Sequence, residues 1–187
     1  MIMREATPLQ RLFLMINPVF LAMALGLGAR AAAGQSVAAA AAADSVSTEY
    51  VVYFISSSFC IANQLPEFRR AVAELAPAAR REAARSSRTV SLVGVSIDVR
   101  ADTGAAYLQR LGTWDEIVAG RNWMNSAVSR YVWQNAFGPP TIPQVIVVRH
   151  VVTRTPRSIR VGEEEKVFAA TGHEAIEQWV ARGAPIP

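Results

Sequence analysis

Residues 50–65, Tyr50-Val51-Val52-Tyr53-Phe54-Ile55-Ser56-Ser57-Ser58-Phe59-Cys60-Ile61-Ala62-Asn63-Gln64-Leu65, decide how this chain folds. The first six are apolar and rich in β-formers, the length of a buried strand. Three serines and Phe59 make a turn. Leu65, Phe68, Val72 and Leu75 then recur at helical spacing, so residues 61–85 read as a helix, bent at Pro66 and split at Pro77. The only cysteine of the chain, Cys60, stands at the strand-to-helix junction. Unpaired N–H groups and the positive end of a helix dipole gather there, and that field favours the nucleophilic thiolate.

Downstream, residues 89–98 (TVSLVGVSID) read as a second buried strand, and 102–111 as a short helix capped by Asp102 or Thr103. Met124, Ala127, Val128, Tyr131 and Val132 share one face of a helix over 122–134. Residues 138–141 are a loop and 144–152 a third strand. Residues 153–158, with Pro156, make a turn; 165–170 return as a strand, and 173–182 close as a helix. The order β-α-β-α-α-β-β-α gives an α/β class. It predicts a central mixed sheet flanked by helices: parallel strands joined by crossovers, then an antiparallel hairpin.

The N-terminus reads as export. Arg4 and Arg11 precede an uncharged run from Leu12 to Ala29, and Ala31-Ala32-Ala33-Gly34 offers a small-residue cleavage site. Residues 1–33 are therefore a signal peptide or a retained signal anchor that tethers the chain to a membrane; a buried apolar helix is the third reading. Residues 34–48 are an Ala/Ser-rich linker, and the folded domain is expected over 49–187. The first two readings place it in the periplasm or another extracytoplasmic space. The 187 residues are 51% hydrophobic and 18% charged, ordinary for a globular domain. Arg far outnumbers Lys in a net charge of +4, which is read as a solvated basic surface. No nucleic-acid signature is present. One cysteine excludes an intramolecular disulfide.

Three segments resemble the thioredoxin-like superfamily, in its thioredoxin, redoxin and thiol-peroxidase branches. VVYFISSSFCIANQLPEF is similar to the family's active-site entry, with Phe59 at the usual Trp and Cys60 at the nucleophile. VGVSID, followed by a helix ending LQRLG, is similar to the second parallel strand. Pro139-Pro140-Thr141-Ile142-Pro143-Gln144 before VIVV is similar to the loop that carries a cis-proline opposite the thiol. The resemblance spans residues 50–182 and implies that Ile142–Pro143 is cis, with Phe59, Ile142 and Pro143 contacting a peptide substrate or partner. The motif is incomplete. The family's second cysteine would stand at Asn63, and the other register would need one at Ser57. An Asn cannot resolve a mixed disulfide, but its amide can hydrogen-bond near the sulfur.

Cys60 and Asn63 are thus the candidate catalytic residues. The first function is thiol–disulfide exchange through a single Cys, with protein or peptide thiols and disulfides as partners and no cofactor. The second is a redox-inactive binding module for peptides or proteins, in which Cys60 is a buried small hydrophobe. The third is a single-Cys thiol peroxidase. Here Tyr53 stands where that branch has Pro, and the proline loop lacks an Arg. Ser57 and Ser58 are read as turn residues, and Asp98 as a capping or surface carboxylate. His150 and His173 are isolated, so no metal site is expected. Trp123, Tyr131 and Trp133 are read as core and groove fillers, and Arg149, Arg154, Arg157 and Arg160 as a charged hairpin edge.

Overall fold

The computed structural model describes residues 44–134 and 140–187. The signal or anchor segment and most of the linker lie outside the described residues, as does Pro139 of the proline loop. Among the described residues, no helix is long and apolar enough to cross a membrane.

The domain is α/β, with a curled mixed sheet and helices. β1 (Ser45–Ser56) lies at the centre. On one side it pairs in parallel with β2 (Thr89–Ser96), which pairs in parallel with β3 (Glu116–Ala119). On its other side β1 runs antiparallel to β4 (Gln144–Thr155). The far edge of β4 carries two antiparallel strands, β5 (Ser158–Val161) and β6 (Glu165–Thr171). β1 starts earlier than the apolar run that announces it. Ser45 to Thr48, read as linker, pair with Arg154 to Val151. Ladder bonds come from the backbone, so small exposed residues can extend a strand wherever a partner strand runs past them.

The long helix also differs from its sequence pattern. Residues Ile61–Gln64 form a single 3₁₀ turn, and α1 begins only at Pro66 and runs unbroken to Arg85. Pro66 has no N–H to give the Ala62 carbonyl, and it forces Leu65 into an extended conformation (φ −80°, ψ 118°). As the first residue of α1 the same proline is well placed. Pro77, expected to split the helix, does not. It costs one backbone bond, to Ala73, and both residues are on the exposed face of the helix. The opposite face, with Phe68, Val72, Leu75, Ala79 and Ala83, is buried and keeps the helix whole.

α2 (Ala101–Leu111) and α4 (His173–Ala181) pack on the same sheet face as α1, around Tyr50, Val52, Phe54, Leu92 and Val147. The other face buries Ile55, Val93, Val95, Ile146 and Val148 under a shorter, irregular segment. The single helix expected over 122–134 is there a 3₁₀ turn at Asn122–Met124, a three-residue α3 (Ser126–Val128) and a π-helix at Ser129–Gln134. Asn125 causes the break. Its Oδ1 accepts from the backbone of Ala127 and Val128 and starts a new helix, while its Nδ2 points to the carbonyls of Ser96 and Gly120. The charged arm after β4 is also more regular than expected: β5 continues the pairing, with its residues exposed.

Candidate functional site

Parallel pairing sets Ser56 opposite Ser96, so the chain leaving β1 and the chain leaving β2 emerge side by side. Cys60 is on the first and Asp98 on the second. The antiparallel register puts Gln144 opposite Ile55, which brings Pro143 to the same end of the sheet. The Ile142–Pro143 peptide is cis. Ile142 packs against both apolar clusters, and the Pro143 carbonyl accepts from Gly172 N–H at 2.9 Å.

The turn from Ser57 to Cys60 is closed by Cys60 N–H donating to the Ser57 carbonyl at 3.2 Å. Cys60 itself is 8% exposed and belongs to the edge of the helical-face core. Its neighbours point the other way: Phe59 is 66% and Ile61 80% exposed. Cys60 precedes one 3₁₀ turn rather than a twenty-residue helix, so the dipole acting on it is that of a single turn.

Asn63 does not lend its amide to the sulfur. Its Nδ2 donates to the carbonyls of Ser57 at 2.8 Å and Ser58 at 3.5 Å, and its Oδ1 accepts from Tyr107 Oη at 2.9 Å. All its hydrogen-bonding groups go to holding the turn. Tyr107, on α2, also meets Ser56 Oγ at 3.0 Å. Burial pushes its phenol up to about 12, and the negative charge of Asp98 adds to the rise.

Asp98 is neither a cap nor a surface group: it is 4% exposed and holds the other side of the turn. Its Oδ2 accepts from Ser58 N–H at 3.0 Å and from Ser96 Oγ, and its Oδ1 accepts from Ser58 Oγ. Burial alone would raise this carboxyl, but the bonds from Ser58 and Ser96 outweigh it and hold the group below the usual aspartate value. A partial signal for this was present in the sequence, because parallel strands place their C-terminal ends on one edge. Nothing in the sequence marked Tyr107.

Ser57 is fully buried, and its hydroxyl has no partner among the described residues. An open groove of about 670 Å³ between α1 and α4 is lined by Glu67, Arg70, Glu74, Arg81, Glu177 and Val180; it does not include the Cys60 turn. Among the described residues no group of His, Cys, Asp and Glu converges as a metal site would require. His150 lies on β4 and His173 opens α4. Trp123 and Trp133 meet edge to face at 5.6 Å, and Tyr131 lies in the core against Tyr53. Arg149 and Arg154 pair with Glu165 and Glu49 across the sheet.

No family model, curated protein or solved structure matches the chain.

Proposed function

We propose that this is an exported thioredoxin-like domain that carries out thiol–disulfide exchange through Cys60 alone. One observation carries the reading. The only cysteine sits on a turn clamped from both sides, by Asp98 through Ser58 and by Tyr107 through Asn63. That turn lies at the C-terminal end of parallel strands, where open α/β sheets gather their ligand sites. The parallel β1–α1–β2 unit, and the antiparallel β4–β6 pair followed by α4, support the family resemblance. The uncharged run from Leu12 to Ala29 supports export.

The chemistry closes without a second cysteine. The Cys60 thiol gives its proton to solvent. Its thiolate attacks one sulfur of a partner disulfide, and the electron pair of the broken S–S bond leaves on the other sulfur as a thiolate. Cys60 is then held in a mixed disulfide. A thiolate from an external small thiol attacks the partner's sulfur of that bond, takes the place of Cys60 on it, and the electron pair of the broken bond leaves on Cys60 as the restored thiolate. Asn63 holds the turn throughout and resolves nothing. Phe59, Ile142 and Pro143 supply the surface on which the partner's backbone lies.

The test is adduct mass against time. Folded wild-type protein given oxidised glutathione is expected to gain one adduct and keep it until a reductant is added. Asn63→Cys is expected to expel the adduct by forming an internal disulfide. The low exposure of Cys60 favours a second reading, a binding module that uses Phe59 and Ile61 as contacts and does no chemistry. A Cys60 that stays unmodified while the protein is folded decides for that module. A periplasm-only reporter fused after Ser47 tests export: activity is expected, and a soluble cytoplasmic fusion refutes it.

A further inference from the structure

The hydrogens around the Cys60 turn can be assigned one by one. Asn63 Nδ2 faces two carbonyls, those of Ser57 and Ser58. Carbonyls only accept, so that end of the amide is the NH₂ and Oδ1 is an acceptor. Tyr107 Oη lies 2.9 Å from Oδ1, and the phenol has one hydrogen, which must go there. Ser56 Oγ, 3.0 Å from the phenol oxygen, is placed as a second acceptor for that hydrogen. Two bonds run in series from Tyr107, which is buried on α2: Tyr107 to Asn63, and Asn63 to the carbonyls of the turn.

We propose that Tyr107 is the positioning residue of the Cys60 site, fixing through Asn63 the orientation of the turn and hence the line along which the sulfur meets a partner disulfide. This rests on the reading that Cys60 is reactive. Tyr107 acts on the reaction through Asn63, with which it shares a hydrogen bond. Its hydrogen is what keeps the Asn63 amide from rotating, and without it both carbonyls lose their shared donor. Reacting atoms tolerate little misalignment: a shift of about 1 Å costs on the order of a hundredfold in rate.

The experiment is the rate of mixed-disulfide formation with 4,4′-dithiodipyridine near pH 10. Each variant's rate is taken where it no longer rises with pH, so the thiolate fraction does not enter the comparison. Tyr107, pushed up to about 12, keeps its hydrogen. The rate then reports geometry rather than ionisation. Tyr107→Phe and Asn63→Ala are each expected to slow the reaction roughly tenfold, and the double variant to be no slower than Asn63→Ala by more than about twofold. That non-additivity in rate, with unfolding midpoints measured alongside, separates positioning from a loss of stability. Tyr107→Phe reacting within about twofold of wild type overturns the proposal, as does a double variant whose effects multiply. If Tyr107→Phe does not fold, Asn63→Ala reads the same link from its other end, and a full wild-type rate there overturns it. A wild-type thiol inert in the folded protein removes the exchange reading itself, and this proposal with it.

Discussion

On one side of the Cys60 turn Ser58 is held by a carboxylate; on the other, Asn63 is held by a phenol. The two clamps grip neighbouring atoms of one short segment and differ in chemistry. The Asp98 clamp is ionic at neutral pH, and its partners are one backbone N–H and two serine hydroxyls. The Tyr107 clamp is neutral and reaches the turn through an intermediate amide. A bond to a charged acceptor is roughly twice as strong as a neutral one, and a buried charge left short of donors is penalised more heavily. The carboxylate side should therefore dominate the stability of the turn, while the phenol side fixes its direction.

Removing the stronger clamp tests that division at its largest effect. Asp98→Ala leaves the Ser96 hydroxyl without its acceptor at a buried site and frees the Ser58 N–H and hydroxyl, on an exposed residue, from the carboxylate that holds the turn. It is expected to cost roughly 2–4 kcal/mol in urea unfolding. Tyr107→Phe removes only neutral bonds and is expected to cost roughly 1–2 kcal/mol. Equal losses would mean that the ionic character of Asp98 contributes nothing.

The same contrast explains what was legible in the sequence. Cys60, its turn and the strand before it follow from local pattern: six apolar residues, three serines, then helical spacing. β2, β4, β6, α2 and α4 were readable for the same reason. Asp98 and Tyr107 act on the turn across 40 and 44 positions of sequence separation, and no local pattern carries such a contact. The role of Asn63 was misread in consequence. Its spacing from Cys60 suggested a partner for the sulfur, whereas its actual partners are carbonyls behind it and a phenol from α2. Misreadings in regular structure came from competition between local signals. Pro66 stopped the 3₁₀ turn from joining α1, whereas Pro77 lost to the buried face of the helix around it. The strands β3 and β5, four residues each, are too short to show a pattern, and they exist because a neighbouring strand offers them a ladder.

Titration separates the clamps from opposite ends of the pH scale. The Asp98 carboxyl lies below its ordinary value of 3.8 in the folded protein. Its contribution is present above the unfolded value and is lost as pH falls through the lower folded one, because the unfolded chain takes up the proton first. Tyr107 is raised from 10.0 to about 12, so the contribution of its neutral form is present below pH 10 and is lost as pH rises toward 12. Burial also raises Tyr53 and Tyr131, which add to that alkaline limb. Urea midpoints across pH should show both limbs. Asp98→Asn is expected to flatten the acid limb only, and Tyr107→Phe the alkaline limb only. A variant that flattens both would show that the clamps are coupled rather than independent.

The smallest effect belongs to the serine between the two clamps. Ser57 gives its carbonyl to Cys60 N–H and to Asn63 Nδ2, both backbone-level contacts that survive loss of its side chain. Its hydroxyl is buried with no partner among the described residues. An unsatisfied buried hydroxyl costs about 1–3 kcal/mol, and replacing it with hydrogen removes that penalty while leaving a small void. Ser57→Ala is therefore expected to leave stability unchanged or raise it by up to about 1 kcal/mol, opposite in sign to Asp98→Ala and Tyr107→Phe. Measured destabilisation above about 1 kcal/mol would mean that the hydroxyl does find a partner in solution. The turn would then have three side-chain supports rather than two, and the sharp division between an ionic side and a neutral side would no longer account for how Cys60 is held.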